Sequence, residues 1–155
     1  MRARDLMRRA VATVTPEATV GQVAALMQET GCSGLPVVDD QGRVLRMLTE
    51  ADLLHLALPE WMEQIGELSF VPEGFEPYAK ALAALAQRPL REVLAETSVV
   101  VAEEEDPLLE VIRLMAHHGL RRIPVVRDGK LTGILNREDV TAAVFHPGIA
   151  RAGNQ

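Results

Sequence analysis

The chain has 155 residues, 48% of them hydrophobic, enough to bury a substantial core as one domain or two fused halves without staples. A formal charge of −6 argues against a nucleic-acid backbone as the main partner, and 3% aromatic residues argue against a base-stacking platform. The lone Cys32 excludes an internal disulfide, and no Cys/His cluster has zinc-ligand spacing, so it reads as a small apolar residue in a reducing compartment. The first ten residues lack the apolar core of a signal peptide, and no apolar run is long enough to cross a bilayer. The expectation is a soluble, cytoplasmic protein without membrane contact.

In chain order, Arg4 to Met7 reads as a short lead-in helix, and Val11 to Thr15 is β-branched and favours strand. Thr19 can cap a helix whose apolar residues Val20, Val23, Ala24 and Met27 keep the i, i+3, i+4, i+7 spacing, with Gly31 as its stop. Leu35 to Val38 is apolar on both faces and reads as a buried strand. A turn at Asp40-Gln41-Gly42 leads to a strand over Val44 to Leu48, and a closing helix starts near Thr49. Next come Trp61, Met62, Ile65 and Leu68 at helical spacing, a break over residues 72–77, and an Ala/Leu-rich helix from Tyr78 to Ala86. This stretch covers the core or a dimer face, or else binds a partner through the only Trp and the only Tyr. Arg91 to Leu94 resembles the first lead-in. Val99 to Ala102 then reads as strand, Asp106 as the cap of a helix with Pro107 at its first position, and Leu108, Val111, Ile112 and Met115 as its stripe before Gly119. Ile123 to Val126, a turn at Asp128-Gly129, Leu131 to Leu135 and a helix from Asn136 complete the series.

The series repeats itself. Gly31, Pro36 and Val38 lie over Gly119, Pro124 and Val126 at an offset of 88, with Val23, Leu26 and Met27 over Val111, Leu114 and Met115. One extra turn residue in the first copy shifts the offset to 87, so that Gly42, Leu48 and Asp52 match Gly129, Leu135 and Asp139. Each unit is strand, helix, strand, strand, helix. The expected division is a first repeat with lead-in over 1–55, a helical insertion over 56–88, a second repeat with lead-in over 89–147, and a flexible tail over 148–155.

With Gly34-Leu-Pro-Val-Val38, Thr49-Glu-Ala-Asp52, Arg122-Ile-Pro-Val-Val126 and Gly133-Ile-Leu-Asn-Arg-Glu-Asp139 in tandem, the chain resembles the cystathionine-beta-synthase-type (CBS) domain family over nearly its whole length. The resemblance implies an α/β (α+β) fold in which two β-α-β-β-α repeats pack about a pseudo-twofold axis. It also implies clefts for AMP, ADP, ATP or S-adenosylmethionine between the copies, and a homodimer. No cofactor beyond such a regulatory ligand is expected, and no catalysis: a nucleophilic elbow, a Walker loop and a Rossmann fingerprint are all missing. With no effector domain fused, output would pass to a separate effector protein. The alternative is a ligand-free structural or protein-interaction module.

The residues themselves suggest how such a ligand is held. Leu35, Pro36 and Val37, or Ile123, Pro124 and Val125, can wall an apolar slot for a base, with backbone groups beside the prolines reading its edge. Thr13 and Thr15 belong to the same expected set. Asp52 and Asp139 each follow a polar residue, Thr49 or Asn136, by three positions, so each pair shares one face of a first helical turn. A carboxylate there can accept two hydrogen bonds from a ribose diol, while the Thr49 hydroxyl and the helix amides meet phosphate. Arg121 or Arg122 can reach that phosphate from the other copy. Helix capping explains either pair alone, but not the recurrence of the aspartate. Two departures from the family pattern stand out: Arg46 where the second copy has Gly133, and Asn136 in place of Thr or Ser. His117 and His118 point about 100° apart on a helix and suit no metal. The acids from Glu103 to Asp106 read as a solvated run complementing a helix dipole.

Overall fold

The computed structural model describes residues 1–64, 67 and 76–146. In chain order the elements are α1 (Ala3–Leu6), α2 (Val20–Thr30), β1 (Gly34–Val38), β2 (Val44–Thr49), α3 (Glu50–Ala57), α4 (Glu60–Glu63), α5 (Glu76–Ala86), α6 (Leu90–Val93), β3 (Ala102–Glu103), α7 (Leu108–His118), β4 (Arg122–Arg127), β5 (Lys130–Asn136) and α8 (Arg137–Phe145). This is the mixed α/β order expected from the repeats. β1 pairs with β2, and β3, β4 and β5 form a three-stranded sheet in that order.

The helix ends follow local chemistry. Thr19 accepts the Gln22 N–H at 3.2 Å while the Gln22 side chain accepts the Thr19 N–H at 2.9 Å, a reciprocal box that satisfies two orphan amides of α2. At the other end Gly31 and Gly119 take φ of 67° and 64°, a left-handed turn that glycine adopts without a Cβ penalty.

Four local expectations are corrected. Residues 11–15 form no strand: Val14 alone makes a bridge, because β-branched residues favour extended backbone but a strand also needs a ladder partner. In the second copy only Ala102 and Glu103 join the sheet, in parallel register with Val125 and Val126. Asp106 does not cap α7. Its carboxylate accepts the Glu103 N–H at 2.8 Å, closing the preceding turn, and Pro107 holds the cap position. In the insertion, the helix expected from Tyr78 begins at Glu76. Ile65, Leu68 and most of the break at 72–77 lie outside the described residues, as does the tail at 148–155.

The chain divides into two compact units, Met1–Thr13 with Pro36–Met47 and Thr97–Gln155, and Val14–Leu35 with Leu48–Glu96. The first has a core of Ala3, Leu6, Met7, Ala102, Val111, Met115, Ile123, Val125, Leu135, Val140 and Ala143. The N-terminal lead-in thus joins the second copy. Ala3 N–H donates to Asp106 O at 2.9 Å, and Arg8 and Ile134 exchange two backbone hydrogen bonds of 2.9 Å. The close approach needs a bare backbone at Gly133, where a Cβ would lie 2.6 Å from Met7 Sδ and 2.9 Å from Arg8 O. β4 and β5 slip register beyond Val125 and Gly133, and Thr132 turns its hydroxyl to Val125 O at 3.3 Å.

The second unit repeats this exchange. Leu90 N–H donates to Ala18 O at 2.9 Å and Val20 N–H to Arg88 O at 3.1 Å, so the second lead-in closes on the first copy. Arg91 adds an ion pair to Glu17 at 2.9 Å, which holds its guanidinium pKa above the ordinary value. The Tyr78 hydroxyl donates to Ala57 O at 2.8 Å and ties α5 to the end of α3.

Candidate functional site

The two copies build the same small construction from a loop and a helix start. In the first, Cys32 N–H donates to Met27 O at 3.1 Å after the turn at Gly31, and Ser33 O accepts the Glu50 N–H of α3 at 3.0 Å. In the second, Leu120 N–H donates to Met115 O at 3.0 Å, and Arg121 O accepts the Arg137 N–H of α8 at 2.8 Å. The first amides of a helix have no partner within it, so each loop carbonyl pins the start of the helix to the residues that enter the buried strand. This clip sets Thr49 and Asp52, and likewise Asn136 and Asp139, beside their own copy's loop.

Leu35, Pro36, Val37, Ile123, Pro124 and Val125 are all buried, so their side chains belong to the core. Thr13, Thr15 and Arg121 are exposed and Arg122 is half-buried. Thr13 lines a cavity of about 270 Å³ with Arg9, Val11, Val38, Gly42, Leu131 and Thr132.

The aspartates differ in what they hold. Asp52 closes a box with Thr49: its Oδ2 accepts the Thr49 N–H at 2.8 Å and the hydroxyl at 3.0 Å, while Thr49 Oγ1 accepts the Asp52 N–H at 3.3 Å. Asp139 is gripped from outside its helix. Arg8 Nε and Nη2 each donate to it at 2.9 Å, and Asn136 Nδ2 donates to Oδ2 at 3.1 Å. Asn136 makes no side-chain cap of α8. Partial burial would raise the Asp139 pKa, but the hydrogen bonds from Arg8 and Asn136 and the Arg8 charge outweigh it and hold the carboxyl below its usual value.

Two residues in this region escaped the sequence reading. Arg8 stood in an unremarkable lead-in, and only the exchange of lead-ins between copies brings it to Asp139. Glu104 stood in what read as a solvated acid run, yet it is 3% exposed, with Arg127 paired to Oε2. The Thr132 hydroxyl, Arg127 and Arg9 keep its carboxyl below the ordinary range despite the cost of burial. An alternation of buried and exposed residues through Ala102, Glu103 and Glu104 is the signal that could have found it.

Among the described residues, no group of three His, Cys, Asp or Glu side chains could hold a metal ion. His117 and His118 stack edge to face with centroids 4.8 Å apart. No described helix is long and apolar enough to cross a membrane.

Comparison with known proteins places this construction. A CBS domain profile matches residues 3–58 and 90–146, the two copies without the insertion. A CBS domain-containing protein of Bacillus subtilis, YhcV, is 30% identical over 137 residues, covering 88% of this chain and 81% of the relative. The chain spans 59% and 30% of the lengths of two archaeal relatives that it also matches. Among solved structures, a CBS domain-containing protein from Kribbella flavida superposes with a TM-score of 0.76 at 21% identity, covering 93% of this chain and 98% of that one. The Arabidopsis thaliana CBS-pair protein CBSX2, crystallised in complex with AMP, gives a TM-score of 0.67 at 27% identity, covering 92% and 95%. With both repeats matched by the family's own profile and the fold shared across its structures, this chain belongs to the CBS domain family as a tandem pair.

Proposed function

We propose that the chain is a non-catalytic regulatory module that binds an adenosine-containing ligand and passes the binding event to a partner protein. The observation that carries this reading is the duplicated clip, which sets a hydrogen-bonding residue and an aspartate at the start of a helix in both copies. A carboxylate so placed suits the diol of a ribose, and a helix start suits an anionic phosphate. The AMP complex of CBSX2 supports the same ligand class. AMP, ADP, ATP and S-adenosylmethionine all present the required diol. Binding would act on a partner only through a difference in ligand affinity between two states of the module.

Self-association fits the exposed face of α7 and α8. Ile112, Met115, Val140, Val144 and Phe145 line a cavity of about 290 Å³ there, and Phe145 is 72% exposed. A second copy would cover it, and Phe145→Asp should shift the sedimentation coefficient to that of a monomer.

The test is isothermal titration of the folded chain with AMP, ATP and S-adenosylmethionine, repeated on Asp52→Ala and Asp139→Ala. Losing hydrogen bonds to a charged group costs about 1.5–3 kcal/mol, so binding through a diol predicts roughly tenfold or greater weakening in the variant that empties a working site. No heat with any of the three would favour the second reading, a ligand-free interaction module, which gains support from the engagement of Asp139 by Arg8.

A further inference from the structure

We propose that α5 is a built-in cover: it bars the helical face of the first copy from self-association, so that chains join through the matching face of the second copy alone and stop at a dimer. The inference deepens the self-association reading above and rests on it.

Three observations carry it. First, α5 has a single apolar stripe and seats it on the first copy. Tyr78, Leu82, Leu85 and Ala86, spaced as one face of a helix, are half-buried, whereas residues 79–81, 83 and 84 are exposed. Both ends of α5 are fixed to that copy's helices. The Tyr78 hydroxyl donates to Ala57 O at the end of α3, and Ala86 lies against Gly21 at the start of α2, where an added Cβ would stand 3.1 Å from Ala86 O.

Second, the repeat sets larger apolar residues at the matching points of the second copy. At the offset of 88 Gly21 corresponds to Leu109, and at the offset of 87 Ala57 and Leu58 correspond to Val144 and Phe145. Ala57 and Leu58 are half-buried, but Leu109, Val144 and Phe145 are 76%, 41% and 72% exposed. A helix seated as closely as α5 is on Gly21 has no room on Leu109, and large apolar residues left in the open mark an interface.

Third, the second face is suited to its own copy. It carries both signs, with Arg113 paired to Glu110 on α7 and Arg137 next to Glu138 on α8, so two such faces related by a twofold axis can set each charge against its opposite. One such face per chain closes as a dimer, whereas two would let chains continue into larger assemblies. Leu54 on α3 is still 72% exposed, so removing α5 would open an apolar surface able to make that second contact.

The experiment is sedimentation velocity on the wild type, Gly21→Leu, the double variant Leu82→Asp/Leu85→Asp, Phe145→Asp, and the double variant combined with Phe145→Asp, with circular dichroism confirming that each is folded. Gly21→Leu wedges α5 away with its stripe intact and stands in if the double variant does not fold. The expected result is a dimer for the wild type, a discrete larger species for Gly21→Leu and for the double variant, a monomer for Phe145→Asp, and a dimer again for the combination. Dimers of wild-type size in both α5 variants, or species without a defined stoichiometry, would overturn the cover and leave association through the second copy intact. A monomeric wild type would overturn the self-association reading. Discrete dimers in the α5 variants would then still support the cover, and monomers throughout would overturn both.

Discussion

The two copies share a fold plan and differ at one carboxylate. In the first, Asp52 closes a box with Thr49, and the pair caps α3. In the second, Asn136 does not cap, and Asp139 is held by a residue more than a hundred positions away in sequence. Duplication preserved the clip between loop and helix start, where the backbone does the work. It did not preserve the side-chain partners, which depend on the lead-in that each copy receives. The comparison teaches that a repeated motif is a repeated geometry, and its chemistry still depends on its neighbours.

The largest effect tests the shared part. Leu48 and Leu135 occupy equivalent places and are both fully buried, so Leu48→Ala and Leu135→Ala should each cost about 2–5 kcal/mol in chemical denaturation. A large disparity between them would break the equivalence of the two cores.

Next comes the approach that admits the lead-in to the second copy. Gly133→Ala places a Cβ against Met7 and the Arg8 carbonyl and should lower stability by about 1–3 kcal/mol. A neutral result would mean that the lead-in is held loosely.

The caps sharpen the contrast at a smaller scale. Thr49→Ala should cost about 1 kcal/mol through loss of the box, whereas Asn136→Ala should cost less because its side chain accepts no helix amide. Equal costs would show that Asn136 supports α8 by way of Asp139.

The smallest effect is that of the exposed pair itself. The Arg8 side chain is 60% exposed, so Arg8→Ala should change stability by only about 0–1 kcal/mol, and less in high salt. Its pH signature has a definite sign. The folded Asp139 carboxyl titrates below its unfolded value, so its contribution is present above the ordinary carboxylate range and is lost as pH falls through the folded value. Asp139→Asn should therefore lower stability slightly in the neutral region, leave it nearly unchanged below the folded value, and so flatten the acid limb of stability against pH.

Much of the fold was legible because the signals were local. Thr19 with Gln22, Gly31 with Gly119 and the hydrophobic strands after each helix declare themselves within a few residues, since capping, left-handed turns and burial periodicity are short-range effects. The position of Asp52 and Asp139 three residues after a polar partner was equally visible. Glu104 was not, because burial of a carboxylate depends on Arg127, which arrives from another strand.

By itself, then, the sequence determined the duplication, the order of elements in each copy and the helix starts that carry the candidate site, because each of these is written in neighbouring residues. Only the tertiary structure decided which lead-in closes on which copy, and with it that Arg8 meets Asp139 while Ala95 stands at the matching place. Strand ladders and ion pairs join residues distant in the chain, and no periodicity or spacing records which distant partner the folded backbone will bring within 2.9 Å.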